Sequence, residues 1–330
     1  MARKYTNQAN VPLSMAVFLA TDNYDYQSGE KVISVTSLLK PIRQLALAHR
    51  VPPGQDLVEV VSMTQSRMGT ALHDAIERAW INDPSKALHK LGYPEAVIKR
   101  IKVNPDPNTL KEGDIPVYLE QRSARAIGEY TVSGKFDFVG DGRLEDFKST
   151  GVFTFMKNSK DRDYILQGSI YRWLNPKIIT KDEMAIQFIF TDWQSAMARQ
   201  NPNYPQQRTV ERRLDLLSLP ETENFIRGRL ALLDKFYDAP QDELPRCTDE
   251  ELWRSEPSWK YYKNPETIAK GGRSTKNFDN KQEAYLRAAQ DGNVGKVVEI
   301  PGKAKACLYC PAYPVCKQAQ DLIAAGDLDV

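Results

Sequence analysis

The stretch Ser133 to Lys148, SGKFDFVGDGRLEDFK, constrains this chain more than any other, because it reads as a two-strand hairpin delivering two carboxylates and a lysine to one place. Phe136 and Phe138 flank Asp137, Gly140-Asp141-Gly142 supplies turn chemistry, and Leu144 to Lys148 resumes in extended form. Successive side chains of a strand alternate faces, so Asp146 and Lys148 point one way while Glu145 and Phe147 point the other. An acid and an ammonium on one face, beside a second acid, outline a site for a metal ion and a water molecule.

The flanking sequence supplies a frame for that hairpin. Ser34 to Arg50 reads as a helix with Ser37 as a cap, Pro41 in its first turn and an apolar stripe through Leu38, Ile42 and Leu45. A second helix runs from about Leu57 or Thr64 to Trp80 with His73 beside its stripe of Met68, Leu72, Ile76 and Trp80, and a third starts at Ser85. Ile115 to Gln121 and Ala126 to Val132 alternate like strands, Asp161 to Trp173 returns to helix, and Ala185 to Trp193 reads as a buried strand. This order predicts an α/β core, a small mixed central sheet with helices before and after it. A polar loop and strand follow Asn201, then an amphipathic helix from Ser218 to Tyr237. After Pro245 the chain is rich in Trp, Tyr, Lys and Cys and poor in apolar periodicity, as if organised by something other than a core. The expected division is an N-terminal arm over residues 1–33, a core over 34–240 and a C-terminal module over 241–330.

At 330 residues and 41% hydrophobic content the chain buries a large core, so a disordered or fibrous protein is excluded. Lys plus Arg at 45 against Asp plus Glu at 43 leaves a net charge of +2, so a polyanion would be engaged by local patches and not by a global field. The apolar run Val11 to Ala20 is too short and too interrupted for a membrane span and too weak for a signal peptide, so the chain is expected to be cytoplasmic. Three of the four cysteines fall within ten residues, which suits a reducing compartment and a metal or cluster better than a disulfide framework.

Water attacks a phosphodiester only when it is deprotonated and the charge growing on phosphate is neutralised. Hard oxygen ligands holding Mg²⁺ serve both needs, and a nearby lysine orients the water. Asp137, Asp146 and Lys148 meet that description, although an exposed hairpin with scattered charges would carry the same residues. Gly69-Thr70-Ala71-Leu72-His73 adds a histidine on the upstream helix, and Gln167-x3-Tyr171 puts an amide and a phenol on one face of the downstream helix. A lone His or a lone Gln-x3-Tyr pair would mean little.

In this order, His73, Gly134-Lys135-Phe136-Asp137, Asp146-Phe147-Lys148 and Gln167 to Tyr171 resemble the RecB-like branch of the PD-(D/E)XK nucleases, over about residues 34 to 195 plus the cysteine tail. The resemblance implies a restriction-endonuclease-like core in which His73, Asp137, Asp146 and the backbone carbonyl of Phe147 bind Mg²⁺ or Mn²⁺. It also implies that Lys148 positions the attacking water and that Gln167 and Tyr171 support the site or touch DNA. Glu120, shortly before the hairpin, would join through a water.

Cys307-x2-Cys310-x5-Cys316, with Pro311 and Pro314 between, forms a compact loop, and Cys247 is the only candidate fourth ligand. Four thiolates hold a [4Fe-4S] cluster or Zn²⁺, with free buried thiols a third reading. Iron-sulfur nucleases of the RecB-like group, including AddB-type subunits and CRISPR-adaptation nucleases, look similar. Their distant cysteine usually precedes the nuclease motifs, whereas Cys247 follows them and Ser37 to Arg50 has none. Either centre would staple the module to the core.

Trp259-Lys260-Tyr261-Tyr262-Lys263, followed by Lys270, Arg273 and Lys276, interleaves rings with cations, which suits single strands or frayed ends; a solvated loop packing its rings inward is the competing reading. Lys260, Tyr261, Lys263 and Arg273 are the candidate DNA contacts. The expectation is thus a Mg²⁺-dependent deoxyribonuclease of the phage exonuclease type, acting on DNA ends or single strands in recombination or degradation. A recombination or single-strand-binding protein is its expected partner, and host cytoplasm its place if phage-encoded. The rival is a non-catalytic DNA-binding or recombination-complex subunit with a Zn- or Fe-S-stabilised fold.

Overall fold

Asp141 and Gly142 both have positive φ, 48° and 81°, the backbone that a two-residue hairpin needs to match strand twist. In this computed structural model, which describes residues 4–22, 25, 27, 29–55 and 57–329, the hairpin lies in the middle of a six-stranded mixed sheet. Its strands are β1 (Ile101–Val103), β2 (Ile115–Leu119), β3 (Phe138–Gly140), β4 (Arg143–Thr150), β5 (Glu183–Phe190) and β6 (Thr209–Asp215), side by side in chain order. β1–β2 and β4–β5 are parallel and the other pairs antiparallel, with Phe138 opposite Glu145 and Asp146 opposite Ile186.

Two helices frame the sheet, α1 (Thr64–Ile81) and α2 (Asp161–Leu174). A parallel pair needs a crossover, and α2 lies within the one from β4 to β5. Its Gly168 permits a close approach, since a Cβ there would sit 2.3 Å from Met184 Sδ on β5. Leu144, Ile170, Ile186 and Phe188 are buried in the same unit. A second sheet pairs Val32–Ser34 with the hairpin Arg122–Ile127/Tyr130–Lys135.

The chain divides into two units, Met1–Lys40 with Leu57–Leu232 and Pro41–Asp56 with Leu233–Val330. The second unit therefore takes in residues 41–56, which the sequence reading put in the core. The arm expected over residues 1–33 lies partly outside the described residues, and within it Leu13–Ala20 is a helix.

Three other elements differ from expectation. The helix expected over Ser34 to Arg50 is two helices, Val35–Leu38 and Ile42–Ala48, because Pro41 disfavours helical backbone at Lys40. Ser34, not Ser37, is the cap, accepting from the Ser37 N–H at 3.0 Å. The strand expected over Ala126 to Val132 is interrupted by the turn at Gly128, whose φ is 59°. The C-terminal segment has a small core of its own: Ser258–Tyr262, Lys276–Phe278 and Lys296–Ile300 form an antiparallel sheet on which the helix Lys281–Gln290 buries Ala284 and Ala288 against Tyr261 and Phe278. Among the described residues no helix is long and apolar enough to cross a membrane.

Candidate active site and cysteine cavity

Two chain segments leave the six-stranded sheet for the second sheet at the same level. One passes from β2 through Glu120 and Gln121, and the other returns through Phe136 and Asp137 to β3. The crossing keeps two backbone bonds, Glu120 N–H to Asp137 O at 3.1 Å and Phe136 N–H to Gln121 O at 3.3 Å. Glu120 makes the bend with φ at 50°, a left-handed conformation that costs a non-glycine residue about 1–3 kcal/mol. The switch sets the Glu120 and Asp137 carboxylates side by side.

α1 brings His73 to them. Its Nδ1 lies 3.5 Å from Asp137 Oδ2 and its Nε2 3.0 Å from the Phe147 carbonyl oxygen. Asp137 Oδ2 also accepts the Phe147 N–H at 3.1 Å. Among the described residues, donor atoms of His73, Glu120 and Asp137 all fall within 4.8 Å of one another. On β4 Asp146 and Lys148 share a face as the alternation requires, with Lys148 Nζ 2.5 Å from Asp146 Oδ2. Gln167 Nε2 lies 3.5 Å from Asp146 Oδ1 and donates to Tyr171 Oη at 3.1 Å, so the pair on α2 backs Asp146. Gly134 clears the space for this arrangement, because a Cβ there would sit 2.8 Å from Tyr171 Cε1.

The charges in this cluster fix one another. Burial works against a charged His73, but the Asp137 carboxylate and the Phe147 carbonyl outweigh it and push the imidazole up to about 9. Burial likewise opposes the Asp137 charge, yet His73, Lys148 and the Phe147 N–H hold that carboxyl below its ordinary range. Asp146 goes the other way: burial, reinforced by the Asp137 charge, pushes it up to about 6 despite Lys148. Lys148 overcomes its own burial through Asp146 and Asp137 and is held as an ammonium above its ordinary range. Burial and Asp137 raise Glu120 against its ion pair with Lys135 at 2.5 Å.

One imidazole and clustered carboxylates, beside the buried Asp146 carboxylate that Lys148 pairs with, fit a hard divalent cation. The residues expected together from the sequence, His73, Asp137, Asp146, Phe147 and Lys148, are together. Glu120 takes a place in the tightest donor group, closer than the outer position expected for it, while Asp146 faces Lys148. Its only sequence signal is a carboxylate closing the apolar run Ile115 to Leu119.

In the second unit the four cysteines line one cavity of about 50 Å³, together with Pro41, Arg43 and Gln44. Cys316 is buried, the other three are half-buried, and none forms a disulfide. Two short 3₁₀ turns, Ala306–Tyr309 and Tyr313–Val315, wind the Cys307–Cys316 loop around it. Burial, with Glu251 and neighbouring cysteines adding to it, pushes the Cys247 thiol up to about 12, and burial raises Cys307 as well. Four thiols that line one cavity without a disulfide among them are a donor set that fits a metal or an iron-sulfur group.

The candidate DNA contacts divide. Tyr261 is a correction: it is fully buried in the small sheet, and its hydroxyl donates to Asp291 at 3.1 Å, so its ring is closed to a base. Strand alternation placed that ring inward, against Ala284 and Ala288. Lys260 is half-buried, and Lys263 and Arg273 are exposed. Two neighbouring arginines of β6 in the first unit are paired with acids, Arg212 with Asp161 at 2.7 Å and Arg213 with Glu211 at 2.8 Å.

No family model and no curated protein matches the chain. Similar solved structures include that of SSO0001, at 12% identity and a TM-score of 0.40 over 68% of this chain and 89% of that one. Another is a phage related exonuclease from Haemophilus somnus 129PT, at 13% identity and a TM-score of 0.26 over 60% of this chain and 93% of that one. At these values the chemistry of the chain rests on its own residues.

Proposed function

We propose that this protein is a Mg²⁺- or Mn²⁺-dependent deoxyribonuclease acting from DNA ends. The observation that carries the reading is the His73, Glu120 and Asp137 donor group within 4.8 Å, beside the Asp146–Lys148 pair at 2.5 Å. His73, Asp137, Asp146 and the Phe147 carbonyl would hold the cation, with Glu120 completing the donor set. A bound Mg²⁺ supplies Lewis-acid chemistry, making water a nucleophile near neutral pH and neutralising charge on phosphate. Lys148 keeps its proton and therefore serves as a donor, orienting the water and meeting phosphate charge, not as a base. Gln167 and Tyr171 hold Asp146 in place.

For the second unit the reading is a [4Fe-4S] cluster on Cys247, Cys307, Cys310 and Cys316 with a structural role. Four thiols lining one cavity, three of them on the Cys307–Cys316 loop that winds around it, support that reading, with Zn²⁺ on the same four sulfurs the alternative. Exposed Lys263 and Arg273 would follow phosphates, and recombination or DNA degradation would be the setting.

End-labelled and internally labelled DNA, incubated with Mg²⁺, Mn²⁺ or EDTA, tests the enzyme reading. Metal-dependent release of terminal nucleotides by the wild type, lost in Asp146→Asn, is expected. Cleavage that survives EDTA or the substitution would overturn the assignment.

A further inference from the structure

Cys247 lies in a segment without helix or strand, between the helix that ends at Phe236 and the strand that starts at Ser258, some sixty residues from its three companions. Something other than regular secondary structure must aim its sulfur. The buried amide of Gln318 accepts the Cys247 N–H at 2.8 Å and donates to the Cys247 carbonyl at 3.0 Å. Gln241 answers from the other side: it donates to the Val315 carbonyl at 2.7 Å and accepts the Lys317 N–H at 2.9 Å, bracketing Cys316. A carboxamide is suited to this because one side-chain end carries both a donor and an acceptor, matching the two polar groups of a peptide. The buried guanidinium of Arg43 then ties down the start of the same segment, donating to the carbonyls of Gln241, Leu244 and Pro245 at 3.0, 2.8 and 3.0 Å.

We propose that Gln318 and Gln241 form a reciprocal clamp, anchored by Arg43, that positions Cys247 as the fourth ligand of the cysteine site. The clamp stands in for strand pairing between the irregular segment of Cys247 and the start of the helix Lys317–Ala324. All three are positioning residues, since each acts on backbone and none is itself a ligand. Residues that orient metal ligands typically contribute about 10- to 100-fold in affinity. The inference rests on the cysteine-site reading, and its test separates the two.

The full chain, purified without oxygen, is compared with Cys247→Ala, Gln318→Met and Gln318→Glu for iron and zinc per chain, for the rate of metal release to a chelator, and by electron paramagnetic resonance. Wild type holding four irons, with Gln318→Met approaching Cys247→Ala in a three-iron signal and at least about tenfold faster release, is the expected result. Gln318→Glu keeps the acceptor for the Cys247 N–H and should fall between, which also covers the case of Gln318→Met failing to fold. Both Gln318 variants matching wild type while Cys247→Ala does not would overturn the clamp and leave the cluster standing. Wild type with one zinc and no iron would overturn the cluster, and the same release comparison on zinc would still decide the clamp. Wild type with neither metal would overturn both.

Discussion

The two candidate sites are built by opposite means. His73, Asp137, Asp146 and Lys148 sit on or beside continuous helix and strand, and their charges neutralise one another without any bound group. The four cysteines sit on turns and irregular chain around one cavity, and burial raises the Cys247 and Cys307 thiols. On the proposed reading, a cation at the first site would add chemistry to a structure that stands without it, whereas at the second it would complete the structure. Metal removal should therefore silence one unit and loosen the other.

The largest effect expected is on catalysis. Asp146→Asn should lower Mg²⁺-dependent cleavage about 10³-fold or more, in single-turnover assays, with little change in melting temperature. Cys316→Ser should do the reverse, destabilising the second unit by several kcal/mol, about the scale of losing a structural metal, and removing hydrogen-exchange protection around Cys307–Cys316. Equal loss of protection around Lys148 would erase the contrast between the sites.

Smaller effects sharpen it. His73 titrates near 9 in the fold against an ordinary 6.5, so its stabilisation of the metal-free protein is fully present below about 6.5 and is lost as pH rises through 9. Cation binding expels that proton, so Mg²⁺ affinity should climb over the same window, by calorimetry, and flatten in His73→Gln. Gly134→Ala would bring a Cβ within 2.6 Å of Val35 Cγ2 and 2.8 Å of Tyr171 Cε1, which should cost about 1–3 kcal/mol in chemical denaturation and disturb the Gln167–Tyr171 pair. Tyr261→Phe removes one hydrogen bond to Asp291, for about 1 kcal/mol, and should leave DNA affinity unchanged in a binding titration.

What the sequence made legible follows the same divide. Alternation along Leu144–Lys148 and helical spacing at Gln167–Tyr171 fix side-chain direction locally, so those residues meet as expected. The place of Glu120 beside Asp137 is not legible, because it depends on two strands changing sheets at one level, a non-local event without a periodic signal. Tyr261 misled because rings interleaved with lysines look alike whether the ring faces solvent or the helix Lys281–Gln290. Gln241, Gln318 and Arg43 were invisible, since their partners are backbone groups that any residue carries.

Mn²⁺ titration of the DNA-free protein, followed by loss of the free-ion paramagnetic signal, tests the central claim most directly. Wild type should take up Mn²⁺ stoichiometrically at the first site, with Asp137→Ala losing that uptake and Cys316→Ser keeping it. Undiminished uptake by Asp137→Ala would contradict the account.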